Sequence, residues 1–283
     1  MKIFGPYRGV SSIIVSLLYL ILETFKVSKK SVLILIPARF ASTRFPGKPL
    51  AMIAGKSMIS RVLENCQKAS CADISFDAYV VTDDDQVENH IKSFSQNVVR
   101  VDDDVISGTL RIELAYSRHF KEKSYDLVIN VQGDEPLLEG SDLVRLAEFH
   151  LNKPVEIATL VKKQMGFDDV FRDPNKVKVA MSETTGDAFY FSRSPIPFKR
   201  DAGVDANNDY WFLHIGVYSY KPSALSAFSK APVSRLEDLE KLEQLRALEM
   251  GMKIGALETR SVIVGVDHPA DVKKVEEVLS GRN

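Results

Sequence analysis

The chain has 283 residues, is 45% hydrophobic and 27% charged, and carries a formal net charge of −1. That length and balance suit one large soluble α/β domain with a sizeable core, and they exclude a general nucleic-acid coat, which needs a basic excess. Cys66 and Cys71, the only cysteines, are too few for a disulfide framework or a Cys-rich zinc site, and the five histidines show no H-E-x-x-H spacing.

In chain order, residues 9–22 come first, an uncharged run containing IIVSLLYLIL with Lys2 and Arg8 before it and Lys26, Lys29 and Lys30 after it. A spanning helix needs about 20 apolar residues, so this run is short for one, and no small-residue cleavage site follows it. Residues 1–30 read as an N-terminal extension, and two readings of it stay open: membrane-surface contact through residues 9–22, or a natural start at position 27 that leaves residues 1–26 out of the native protein. Residues 31–36 (SVLILI) predict the first buried strand. Residues 57–68 predict a helix with Met58, Ile59, Val62, Leu63 and Cys66 on one face. A strand at 77–82, a short helix at 86–94, a brief strand at 98–101 and a helix from Ser107 to about Phe120 follow. A buried strand at 127–132 and a helix at 140–151 continue the alternation, which predicts parallel strands joined by helical crossovers.

From residue 155 the pattern changes. Residues 157–162, 177–181, 189–191 and 214–220 alternate more like an antiparallel sheet. Leu239, Leu242, Leu245 and Leu248 predict one helix over 237–249. A late strand at 261–264 and a closing helix at 269–279 end the chain, with Pro269 in the first turn, where proline is tolerated. The fold class is therefore α/β, with a mainly parallel central sheet flanked by helices and a smaller antiparallel region. Residues 31–283 read as one domain, with sections at 31–154, 155–260 and 261–283.

The stretch leaving the first strand, IPARFASTRFPGKPL at 36–50, carries the clearest chemistry. It places Arg39, Arg44 and Lys48 among Ala41, Ser42, Thr43 and Gly47. Small residues let backbone approach a ligand, N–H groups and hydroxyls donate, and three cations supply charge, so the loop suits a triphosphate. Neither G-x-x-x-x-G-K-[ST] nor G-x-G-x-x-G is present. Three loop cations also describe solvated surface, but a position just after an apolar strand is where ligands of open α/β sheets gather. The acidic run at 83–85 reads as a capped strand-to-helix turn and that at 102–104 as solvated loop.

These residues resemble the phosphate loop of the 3-deoxy-manno-octulosonate (Kdo) cytidylyltransferase, or CMP-Kdo synthetase, family. Further stretches match in the same order: SGTLR at 107–111, NVQGDEPLL at 130–138, FSRSPIP at 191–197, HIGVY at 214–218, LEQLR at 242–246 and GVDHPADVKKV at 265–275. The likeness runs from about Val32 to Val278. It implies a nucleotide-diphospho-sugar-transferase fold, a cytoplasmic homodimer, and transfer of CMP from CTP to an eight-carbon acid sugar for lipopolysaccharide biosynthesis. Residues 31–154 would then be the nucleotide-binding half and 155–260 the sugar-binding and dimerisation half. Pro37, Ala38, Arg39, Ser42, Arg44, Lys48, Ser107, Gly108, Thr109, Arg111 and Gln132 would take the nucleotide. Gln132, Arg193, His214, Tyr218, Glu243 and Gln244 would take the sugar.

Such a transfer is an in-line displacement that needs positioning and charge stabilisation more than covalent catalysis. Arg39 and Lys48 are the expected catalytic cations. Asp134 and Asp267, each following a predicted strand, are the expected catalytic aspartates and ligands of Mg2+, provided that the two strand ends converge. A lone GDEP turn is otherwise more often a polar loop, and Glu135 is expected only to shape it. A metal-bound sugar hydroxyl has a lowered pKa, so no dedicated base is required. His214 is a candidate base, although a histidine opening an apolar strand is more often a packed side chain. Relatives usually carry an acid where this chain has Leu110 and an arginine where it has Leu213. A paired exchange of facing residues is one explanation. An 8-amino-substituted octulosonate, a sialic acid, or a catalytically inactive nucleotide-binding scaffold are the competing readings.

Overall fold

Five consecutive aliphatic residues form the strand on which the sheet is built. In the computed structural model, which describes residues 29–41, 45–105, 107–200 and 209–281, this is β1 (Lys30–Ala38). There follow β2 (Met52–Ile53), β3 (Lys56–Ser57), α1 (Met58–Gln67), β4 (Ile74–Thr82), α2 (Asp85–Lys92), β5 (Val98–Arg100) and α3 (Gly108–Ala115). Next come β6 (Leu127–Asn130), α4 (Gly140–Asn152), β7 (Ile157–Met165), α5 (Asp169–Arg172), β8 (Lys178–Met181), β9 (Asp187–Ser192) and β10 (Tyr210–Tyr220). The chain closes with α6 (Pro222–Lys230), α7 (Arg235–Glu240), α8 (Gln244–Glu249), β11 (Ile254–Glu258) and α9 (Pro269–Ser280). The readings of residues 1–28 and of Ser42 and Arg44 lie outside the described residues.

Among the described residues, nine strands form one sheet in the order β5-β4-β1-β6-β10-β7-β11-β9-β8. Val32 through Ile36 are fully buried because helices cover both faces. Val32, Ile34 and Ile36 pack with Ile59, Leu63, Leu143 and Leu146 of α1 and α4. Leu33 and Leu35 pack with Ile112, Leu225 and Leu245 of α3, α6 and α8. Each such burial contributes about 1.5–3 kcal/mol. Ser57 starts α1 by accepting the Ser60 N–H, and the predicted apolar stripe faces the core.

The sheet is mixed rather than mainly parallel. β5, β4, β1 and β6 run parallel, as do β7 and β11. β10 is antiparallel to β6, β7 and β8, and β9 is antiparallel to β11 and β8. The strands predicted as a separate antiparallel region therefore continue the same sheet, with β10 inserted beside β6.

Two predicted elements are corrected. Residues 261–264 form no strand. The late strand is β11 (IGALE), where Gly255 lies against Phe149: a side chain there would come within 2.8 Å of that ring. The helix predicted over 237–249 is broken, because Lys241 adopts a left-handed conformation (φ 52°) between α7 and α8. Its leucine period persists across the break, so periodicity alone does not reveal it.

Candidate active site

The cation loop leaves β1 at Ala38, and Gly47 turns it with φ 70°, which glycine adopts without a Cβ penalty. The turn delivers Lys48, whose Nζ lies 2.5 Å from Asp134 Oδ2 and 3.9 Å from Asp267 Oδ1. Three residues that are distant in sequence thus meet at one point. Arg39, next to Ala38, keeps a buried Nη2 with no hydrogen-bond partner among the described residues. An unpaired buried donor is costly unless a ligand satisfies it.

Asp134 follows β6 after Gln132 and Gly133. A Cβ on Gly133 would lie 2.9 Å from Pro37 O, so only glycine lets the acidic turn pass this close to the cation loop. Asp267 arrives along an extended segment, where the Val266 N–H donates to Asp134 O at 3.0 Å. The two aspartates are therefore tied through backbone as well as by their shared lysine. Glu135 keeps a buried Oε2 without a partner among the described residues. Burial, then repulsion from Asp134 and Asp267, pushes its carboxyl up to about 8.

This donor set fits a divalent cation that retains most of its own coordination shell. Among the described residues no group of three or more His, Cys, Asp or Glu could cage an ion. Magnesium is commonly bound by one or two carboxylates, with waters and substrate phosphates completing the octahedron.

A pocket of about 390 Å³ is lined by Gln132, two residues before Asp134. Ser107, Gly108, Thr109, Gln132, His214, Tyr218, Glu243 and Gln244 are among its lining residues. Eight residues expected for nucleotide or sugar therefore line one cavity. Ser107 caps α3 by accepting the Leu110 N–H at 3.3 Å. A Cβ on Gly108 would lie 3.3 Å from Pro37 Cγ, which brings the base of the cation loop to the pocket mouth.

His214 and Tyr218 meet because β10 is irregular. Ile215 pairs with Leu160 but Tyr218 pairs with Thr159, so Gly216 and Val217 bulge out. Four residues of straight strand would span about 13 Å, whereas the two ring centroids are 5.2 Å apart. Thr159 Oγ1 holds the bulge, donating to Val217 O at 2.7 Å and lying 3.2 Å from His214 Nε2. If its proton goes to Val217 O, the hydroxyl accepts from Nε2–H and leaves Nδ1 as the acceptor. Burial pushes His214 down to about 3, so it remains neutral and is a weak base. The isolated glycine in HIGVY was the available signal for the bulge.

The sequence reading missed Lys241 and Leu242, which also line the pocket because the left-handed break faces it. Two expected ligands are employed elsewhere. Arg111 is buried and donates to Val101 O at 2.5 Å and Asp83 Oδ2 at 2.7 Å. Arg193 donates to Glu240 O at 2.6 Å, Pro174 O at 3.0 Å and Lys241 O at 3.3 Å, clasping the break itself. Neither is among the residues lining the pocket. The expected exchange at Leu110 and Leu213, facing each other or a shared space, gains no support from the packing: Leu213 packs with the Val32–Ile34–Ile36 face, whereas α3, which carries Leu110, packs through Ile112 and Ala115 on the opposite face.

Residues 33–254 match the model of a family described as cytidylyltransferase. The chain is 42% identical over 248 residues to the 3-deoxy-manno-octulosonate cytidylyltransferase of Myxococcus xanthus (strain DK1622), covering 87% of this chain and 96% of that one. It is 44% identical over 252 residues to the 8-amino-3,8-dideoxy-manno-octulosonate cytidylyltransferase of Shewanella frigidimarina (strain NCIMB 400), covering 87% and 97%. A solved structure of CMP:2-keto-3-deoxy-manno-octonic acid synthetase complexed with CTP matches with a TM-score of 0.79 and 34% identity, over 90% of this chain and all of that one. A 4-diphosphocytidyl-2C-methyl-D-erythritol synthase from Anaerococcus prevotii DSM 20548 shares the fold alone, at a TM-score of 0.57 and 12% identity over 90% of this chain and 98% of that one.

Proposed function

The chain belongs to the cytidylyltransferase family, and from that premise we propose that it transfers CMP from CTP to the anomeric hydroxyl of 3-deoxy-manno-octulosonate, releasing pyrophosphate. The activated sugar would enter lipopolysaccharide biosynthesis, and the reaction would run in the cytoplasm, where CTP is made. The observation that carries this reading is the meeting of Lys48, Asp134 and Asp267, with Gln132, two residues before Asp134, lining a polar pocket.

Asp134 and Asp267 would hold Mg2+. A divalent ion bound there would offset phosphate charge and acidify the attacking hydroxyl. Lys48 leaves its contact with Asp134 for the β- and γ-phosphates of the incoming nucleotide, and Arg39 offers them its unpaired Nη2. The walls at Ser107–Thr109 take the nucleoside. Gln132, His214, Tyr218, Glu243 and Gln244 take the hydroxyls and carboxylate of the sugar, with neutral His214 accepting a hydrogen bond. Gln244 Nε2, buried and unpartnered, has a donor to spare for this. The sugar oxygen bonds to the α-phosphorus as the bond to the β-phosphate oxygen breaks, and the hydroxyl proton passes to solvent.

The 8-amino sugar is a second reading, favoured by the 44% identity to an enzyme named for it. Pyrophosphate release from CTP and Mg2+ separates the cases when Kdo, the 8-amino sugar and a sialic acid are offered in parallel. Release with Kdo is expected. Release confined to the 8-amino sugar would reassign the substrate, and no release with any acid sugar would favour a scaffold.

A further inference from the structure

Asp142 lies in the first turn of α4 and is 1% exposed, yet no step of the transfer uses it. Its carboxylate accepts from Arg145 Nη1 at 2.9 Å, Arg260 N at 3.1 Å, Ser261 N at 3.0 Å, Ser261 Oγ at 2.5 Å and Thr259 Oγ1. Burial alone would raise its pKa, but the donors at Ser261, Thr259 and Arg260 hold it below the ordinary carboxylate range. From β7, Lys162 Nζ donates to Ser261 O at 2.9 Å and Thr259 O at 3.4 Å. Two charged side chains from two elements thus grip both the N–H and the C=O groups of one short backbone stretch.

The gripped stretch begins the segment that carries Asp267. Residues 262–267 belong to no strand, so no ladder fixes their course. Ser261 Oγ also accepts the Glu139 N–H at 3.3 Å, joining the same grip to the turn that starts at Asp134. Further along, Gly265 passes Glu135 so closely that a Cβ would lie 3.3 Å from its Oε1.

We propose that Asp142 is a positioning residue for the acidic pair, fixing the separation of Asp134 and Asp267 by tying the start of the Asp267 segment to α4, the helix that follows the Asp134 turn. The proposal rests on reading those two aspartates as ligands of a divalent cation. Without the grip, the Asp267 segment must be ordered each time an ion binds, and that entropy is subtracted from affinity. Partners that hydrogen-bond metal ligands typically set affinity by about 10–100-fold, and Asp142 acts one step further back, through the backbone that leads to Asp267.

The test is Mn2+ binding to the whole protein, followed by the electron paramagnetic resonance of the free ion, alongside the Mg2+ dependence of turnover. Asp142→Asn should weaken Mn2+ binding about 10–100-fold, while kcat recovers to within about threefold at saturating Mg2+. Ser261→Ala should shift binding in the same direction by less. Asp126→Asn removes another hydrogen-bonded carboxylate, at the opposite end of β6 where it accepts the Ser31 N–H at 2.9 Å. It should lower the melting temperature and leave the Mn2+ constant unchanged. Asp142→Asn binding Mn2+ like the wild type, whatever its melting temperature, overturns the proposal. If that variant fails to fold, an unchanged constant in Ser261→Ala overturns it instead. A wild-type protein that binds no Mn2+ would remove the metal reading, and this proposal with it, before any variant is compared.

Discussion

Lys48 lies 2.5 Å from Asp134 and 3.9 Å from Asp267, and the proposed transfer gives it the phosphate charge to balance. Replacing it with alanine should cost about 2.7–4 kcal/mol of transition-state stabilisation, a fall of roughly 10²–10³ in kcat for pyrophosphate release. A fall below tenfold would move the phosphate contact to other cations. His214 gives a pH prediction. Its folded pKa of about 3 lies below the ordinary imidazole value, so the unfolded chain binds its proton first as pH falls. The stability contributed by neutral His214 is thus full above about pH 6.5 and is lost as pH falls towards 3. In His214→Asn, urea unfolding should show a flatter acid limb over that window, and the pH–rate profile above pH 7 should keep its shape. Loss of a basic limb in the variant would instead make His214 a proton acceptor. The residue types here were legible in sequence, but the engagement of Arg111 and Arg193 by backbone carbonyls was not. A cation's spacing along the chain does not report which distant oxygens it can reach.

The elements most consequential for the pocket are its irregular ones. The bulge at Gly216–Val217 and the left-handed Lys241 both turn side chains into the cavity, and both interrupt otherwise regular patterns. The break is held from outside by Arg193, and by the buried pair of Arg246 and Glu237, 2.7 Å apart. A non-glycine residue in the left-handed region costs about 1–2 kcal/mol, so Lys241→Gly should leave stability equal or higher. Lys241→Val should destabilise by a similar amount and raise the KM for the sugar, as read by urea unfolding and steady-state rates. If the valine variant is as stable and as active as wild type, the break is not a constrained feature. The leucine period was correctly read as amphipathic, but a period persists through a one-residue break. Only the carbonyls gripped by Arg193 show where the helix stops.

At the scale of the molecule, one mixed sheet carries both halves of the cleft. The cation loop and the acidic turn leave the carboxyl ends of the neighbouring parallel strands β1 and β6, while β10, beside β6, brings in His214 and Tyr218 of the pocket. A ligand that bridges these parts should stabilise the whole fold. CTP with Mg2+ at about 100 times its Kd should add about 2.7 kcal/mol, on the order of 5 °C in Tm. The double variant Asp134→Ala with Asp267→Ala should lose most of that shift in a thermal scan. An undiminished shift would place nucleotide binding away from the aspartates. The sequence by itself determined the strand-forming runs, the glycine turns and the motifs, because local hydrophobic period and backbone preference are written residue by residue. The tertiary structure alone decided that β10 enters antiparallel, that the segment to Asp267 needs no strand, and that Lys48 reaches both acids. Those outcomes depend on closing loops of many tens of residues, and the free energy that closes them is shared among burials all over the sheet rather than held in any one motif.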